Sequence, residues 1–157
     1  SSSHYSPAVH VKPAEPENPE SVIRVLIVDD LSTNQKVGAA MVNKVLGKGN
    51  AAIEYADDGV VALRKATERG HCYDLILMDI QMPNMDGLEC SSRIREWEKG
   101  RPVSEEKYWI VAVTAQNDNE DIQACYSSGM DEYCAKPVTL TSLKPKLLTF
   151  KEELLKK

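Results

Sequence analysis

A chain of 157 residues with an apolar fraction of 42% has the size and composition of one domain with its own core. Its net charge of −5 gives no electrostatic footprint for nucleic acid or for an anionic membrane surface. No apolar run approaches the roughly 18 residues that span a bilayer, so membrane contact by this chain is not expected either.

Residues 1–21, SSSHYSPAVHVKPAEPENPES, carry four prolines and scattered apolar side chains, so they are expected to form a disordered linker or tail, with the folded domain over 22–157. They hold no basic region followed by an apolar stretch, so no signal peptide is read there. The run IRVLIV predicts a strand over Ile23–Val28. Ser32–Leu46 follows as a helix, with Val37, Met41 and Val45 at fourfold spacing and a stop at Gly47 and Gly49. AAIEYA predicts a strand over Ala51–Ala56, and Asp58–Arg69 a helix ending at Gly70, with acids at its positive end. YDLILM gives a strand over Tyr73–Met78, Asp86-Gly87 a turn, and Gly87–Lys99 a helix stopped by Gly100 and Pro102. The charged stretch EKGRPVSEEK, Glu98–Lys107, predicts a solvated loop, and Trp97 an aromatic covering a helix edge. YWIVAV predicts a strand over Tyr108–Val113, Asn117–Ser128 a helix before Gly129, and EYCA a strand over Glu132–Ala135. A last helix runs from Thr141 to about Lys156, with Pro145 in its first turn or so, where a missing N–H costs little.

Strand and helix alternating five times predict an α/β fold, a parallel sheet with helices on both faces, and the near-continuous apolar strands agree. Right-handed crossovers point every strand the same way, so the residues that follow the strands collect on one edge. Those residues are Asp29 and Asp30, Asp79, Thr114 and Lys136. A single acid after a strand is usually a turn former or a helix cap. A cap needs no partners on three other strands, and that favours a site. Where the first and third strands are neighbours, Asp29, Asp30 and Asp79 are adjacent and repel, and a hard cation such as Mg²⁺ or Mn²⁺ suits an all-oxygen donor set. With an ammonium at Lys136 and a hydroxyl at Thr114, the group forms a cradle for a phosphoryl transferred to a carboxylate nucleophile.

Other chemistries lack their residues. The sequence holds no G-x-x-x-x-G-K-[ST], G-x-G-x-x-G, G-x-S-x-G or H-E-x-x-H, and Ile80-Gln81-Met82 after Asp79 lacks the second acid of haloacid-dehalogenase phosphatases. Cys72, Cys90, Cys125 and Cys134 form no C-x-x-C pair and read as small apolar residues of a reducing compartment.

Asp29-Asp30 after VLIV, LILMDIQMPNMDG around Asp79, AVTA with Thr114 and YCAKP with Lys136 resemble the receiver domain of response regulators and hybrid histidine kinases over residues 23 to about 154. The resemblance implies a flavodoxin-like five-stranded parallel sheet of order 2-1-3-4-5. It implies Asp79 as the residue phosphorylated from a phosphohistidine donor. Asp30 and Asp79 become side-chain metal ligands, with the Gln81 main-chain carbonyl as a third and Asp29 acting through water. Lys136 would pair with the phosphoryl group, Thr114 would turn inward to it, and Tyr133 would change rotamer with the switch. Ala115 leaves the acceptor accessible, and Lys136-Pro137 is expected to be cis. The implied partner is a histidine kinase or histidine phosphotransfer protein, docking at Leu31, Asn34, Gly38, Pro137 and Val138. The resemblance leans to the receiver of a hybrid kinase, here a cytoplasmic monomer that catalyses only its own phosphorylation and slow dephosphorylation. Two rivals remain at this stage, an enzyme that turns over phosphorylated substrates and a binding module that has lost phosphorylation.

Overall fold

The computed structural model describes residues 22–102 and 106–156. The expected tail over 1–21, residues 103–105 of the charged stretch and Lys157 lie outside the described residues. The strands are β1 (Ile23–Val28), β2 (Ala51–Ala56), β3 (Leu75–Asp79), β4 (Trp109–Thr114) and β5 (Glu132–Ala135). They alternate with α1 (Ser32–Leu46), α2 (Gly59–Glu68), α3 (Gly87–Lys99), α4 (Asn119–Ser127) and α5 (Leu140–Leu155). All pairings are parallel and the order is β2-β1-β3-β4-β5, as the resemblance implies.

The three central strands β1, β3 and β4 are near-continuous apolar runs because alternate residues serve opposite faces, while the edge strands β2 and β5 carry Glu54 and Glu132. Leu26, Val28, Ile76, Met78, Ile110 and Ala112 pack with Ala62 and Ala66 of α2, Cys90 and Ile94 of α3 and Cys125 of α4. Their neighbours Val25, Ile27, Leu75, Leu77 and Val111 pack with Ala39 and Val42 of α1 and Leu143, Leu147 and Phe150 of α5. α1 starts at Leu31 without a side-chain cap, whereas α2, α3 and α4 start on one: Asp58 accepts from the Val61 N–H at 2.9 Å, Asp86 from Glu89 at 2.8 Å and Asp118 from Asp121 at 2.9 Å. Thr139 and Ser142 form a capping box on α5.

Several expectations shift. Asp58 and Arg69 flank α2 as caps rather than lying inside it, and α4 begins after Asp118 rather than at Asn117. β3 and β4 each extend one residue further, through Asp79 and Thr114, because both are held by neighbouring strands. Pro145 is the sixth residue of α5, in its second turn, so the Thr141 carbonyl receives no N–H from it. Val37 is 51% exposed, and the buried stripe of α1 is Gln35, Ala39, Val42 and Leu46. The stretch from Glu98 is not merely solvated. Glu98 accepts from the Tyr108 N–H at 2.7 Å and pairs with Arg95 at 2.7 Å, while the Arg101 guanidinium lies 4.3 Å from the Trp97 ring centre.

Candidate functional site

Strand register assembles the site. Val28 lies beside Met78, which brings Asp29 next to Asp79 one step on. Asp79 pairs with Val113, and Thr114 with Ala135, so Thr114 and Lys136 flank the same carboxylate. Hydrogen bonds extend the ladders past the strand ends: the Asp29 N–H donates to the Ala56 carbonyl at 3.1 Å, Ile80 to Val113 at 3.1 Å and Lys136 to Thr114 at 2.8 Å. One ligand oxygen from each of Asp29, Asp30 and Asp79 falls within a mutual 4.8 Å.

The three acids differ in surroundings. Asp30 is exposed. Asp29 is buried, and its Oδ1 accepts from the Leu31 N–H at 2.9 Å and from the Asn34 amide at 3.4 Å. Asp79 is only 2% exposed; its Oδ1 accepts from Lys136 Nζ at 2.9 Å, while Oδ2 is buried with no partner among the described residues. Burial pushes the Asp79 carboxyl above the usual carboxylate range, Lys136 pulls it down, and Asp29 and Asp30 push it up again. A buried, partnerless carboxylate oxygen beside two more acids fits a divalent cation or a group carrying one, with an oxygen-only donor set that suits Mg²⁺.

Thr114 is buried, and its hydroxyl donates to the Gln116 carbonyl at 3.0 Å while accepting from the Gln116 N–H at 3.0 Å. Ala115 is exposed beyond it, and Gln81 is exposed in the loop two residues past Asp79. The Lys136–Pro137 peptide is cis. Tyr133 is half-buried, edge-on to Tyr126 with ring centres 6.5 Å apart, and Lys146 Nζ lies 5.2 Å from its ring centre. A groove of about 540 Å³ opens beside the acids; Asn34, Gly38, Lys136, Pro137 and Val138 line it over a floor that includes Leu77. Leu31 does not line it but stands 55% exposed at the start of α1.

Sequence reasoning missed three positions that shape this edge. Gln35 is buried and bonded to the Asp29 carbonyl. Asn84 has φ 69° and donates to Asp58 at 2.8 Å. Gly87, read only as a turn former, packs so tightly that a Cβ would overlap the Asp79 carbonyl oxygen. The signal for Gln35 was present: 35, 39, 42 and 46 are spaced as one helix face, and a polar residue heading that face needs a buried partner.

Residues 25–148 match the family described as response regulator receiver domain. A hybrid signal transduction histidine kinase, E, of Dictyostelium discoideum is 37% identical over 126 residues, which cover 78% of this chain. The chain spans 7% of the length of that curated relative. Among solved structures, one is the co-crystal of the Saccharomyces cerevisiae histidine phosphotransfer signaling protein Ypd1 with the receiver domain of its downstream response regulator Ssk1. It matches at TM-score 0.72 and 31% identity, covering 83% of this chain and 89% of that one. The receiver domain of a Pseudomonas aeruginosa sensor histidine kinase, with magnesium coordinated in its active site cleft, matches at TM-score 0.66 and 34% identity over 82% of this chain and 97% of that one.

Proposed function

Because the chain belongs to the response regulator receiver domain family of two-component signalling, we propose that Asp79 is the residue through which its phosphorylation switch works. A receiver is a phosphorylation-activated signalling switch. The observation that carries the assignment is the Asp79 carboxylate itself, with one oxygen on the Lys136 ammonium and the other buried without a partner. In the reaction an Asp79 oxygen attacks the phosphorus of a phosphohistidine; the O–P bond forms, the P–N bond breaks, and its electron pair leaves on the imidazole nitrogen. Asp30 and Asp79, the Gln81 main-chain carbonyl and, through water, Asp29 would hold Mg²⁺, which when bound offsets the charge gathered at this edge.

The product places about 1.5 to 2 negative charges beside Lys136. Thr114 then exchanges the Gln116 carbonyl for a phosphoryl oxygen, and Tyr133 turns inward from Tyr126 and Lys146 in the same shift of population. The donor is a histidine kinase or a histidine phosphotransfer protein, presenting its phosphohistidine along the groove lined by Asn34, Gly38, Pro137 and Val138, with Leu31 at the rim. The similarity to a receiver solved with its phosphotransfer protein supports that partner class. The domain catalyses only its own modification and slow dephosphorylation, as a cytoplasmic monomer; its free cysteines suit a reducing compartment.

Intact mass after incubation with acetyl phosphate and Mg²⁺ tests the assignment. The expected result is one acid-labile phosphoryl adduct, lost in Asp79→Asn and with EDTA. An adduct retained by Asp79→Asn overturns it, and multiple turnover on small phosphomonoesters would favour the enzyme instead.

A further inference from the structure

The loop between β2 and α2 contributes no ligand to the acidic cluster, yet both loops that do are tied to it. On one side Gln35, buried on α1, donates through Nε2 to the Asp29 carbonyl at 2.8 Å, to Asp57 Oδ1 at 2.9 Å and to the Ala56 carbonyl at 3.4 Å. On the other, the Asn84 amide donates to Asp58 Oδ2 at 2.8 Å, and the Gly59 N–H to the Met85 carbonyl at 3.2 Å.

Three carboxylates gathered within 4.8 Å repel one another, and the cheapest relief is for the loop carrying two of them to swing away. The Asp30 side chain is exposed and, among the described residues, makes no hydrogen bond that opposes that motion. The restraint has to act on the backbone, and Gln35 holds the Asp29 carbonyl one peptide away from Asp30. A buried primary amide whose N–H groups reach acceptors on two different loops is a poor packing choice and a good tie. We propose that Gln35 is a positioning residue: its side-chain amide clamps the β1–α1 loop to Asp57 of the β2–α2 loop and keeps Asp29 and Asp30 gathered on Asp79 for a divalent cation. The proposal rests on the reading above that this cluster takes Mg²⁺.

Calorimetric titration of the unphosphorylated full chain with Mg²⁺ tests it without any activity readout. Gln35→Met removes the donors at similar length, and the Mg²⁺ Kd is expected to rise about tenfold, the range seen when residues that orient ligands are lost. Gln35→Glu, which faces acceptors with an acceptor, should weaken binding further. Val42→Ala loosens the same buried face of α1 away from the loop and should leave the Kd within about twofold. Asp57→Ala cuts the tie from its other end without touching the helix and should raise the Kd about threefold, while Asp57→Asn, which keeps an acceptor and removes the charge, should not. That pair decides the matter if the Gln35 variants do not fold. Gln35 variants or Asp57→Ala binding as wild type, or Val42→Ala weakened equally, overturns the proposal alone. A wild-type chain that binds no Mg²⁺ overturns the underlying reading with it.

Discussion

The sheet carries a charged cluster at each end, and the two are built on opposite principles. At the N-terminal ends of β4 and β5, Arg95 pairs with Asp131 at 2.9 Å and Glu98 at 2.7 Å and donates to the Tyr108 and Gly129 carbonyls, both at 2.8 Å. The two acids are used again, Asp131 by the Ile110 N–H at 2.8 Å and Glu98 by the Tyr108 N–H at 2.7 Å. At the C-terminal ends, Asp79 is the one acid of the three paired with Lys136, and among the described residues its Oδ2 has no partner. A cluster whose charges are answered within the chain holds the fold together. One that leaves an acid unanswered is completed from solution, and that is where reactivity lies.

Breaking the closed cluster should give the largest effect. Arg95→Ala strands Asp131 and Glu98, and removing one partner from a largely buried network costs about 3–5 kcal/mol, a large part of a domain's stability. Urea unfolding measures it, and phosphorylation per folded molecule should be unchanged. The open cluster should answer the other way. Asp30→Asn relieves like-charge repulsion, so metal-free stability stays level or rises, while the Mg²⁺-induced rise in Tm is lost and phosphorylation slows at least about tenfold. A drop in metal-free Tm for Asp30→Asn would make the acids structural and erase the contrast between the two ends.

How far each end could be read from the sequence follows the same division. Asp29, Asp30, Asp79, Thr114 and Lys136 are legible because each stands at or just past the C-terminal end of a strand, and topology alone brings strand ends together. Arg95, Glu98 and Asp131 are not: Arg95 and Glu98 are an i,i+3 pair on α3, but Glu98 sits in a stretch that reads as solvated, and Asp131 joins them from the turn before β5 with no spacing that announces it. Gly87 hides for another reason: a turn glycine and a glycine needed for close approach look alike in sequence. Gly87→Ala would press a methyl onto the Asp79 carbonyl and within 2.9 Å of Met78 Cγ. The expected cost is about 1–3 kcal/mol, with slower phosphorylation because the Asp79 peptide must shift. Gly100→Ala, whose added methyl would lie at an ordinary 3.6 Å from the Trp97 carbonyl oxygen, serves as the control and should cost far less in the same thermal scan.

The smallest expected effect asks whether the closed end is silent to protons. His71 is half-buried there, stacked on Tyr108 with ring centres 4.4 Å apart, and its Nε2 is buried without a partner among the described residues. Burial pushes its pKa below the ordinary value; Arg24 adds to that, while Glu98, Asp74 and Glu106 oppose it. The unfolded chain therefore takes up a proton near pH 6.5, where the folded chain still resists. Stability from the neutral imidazole is complete above that pH and drains as the pH falls through it. Urea midpoints of the wild type should fall between pH 7.5 and 5.5, and those of His71→Gln should fall less, with Mg²⁺ affinity at pH 7.5 the same in both. Parallel slopes would remove the imidazole from the account and leave Asp131, whose carboxyl burial pushes above the usual carboxylate range, as the acid of the closed end to test next.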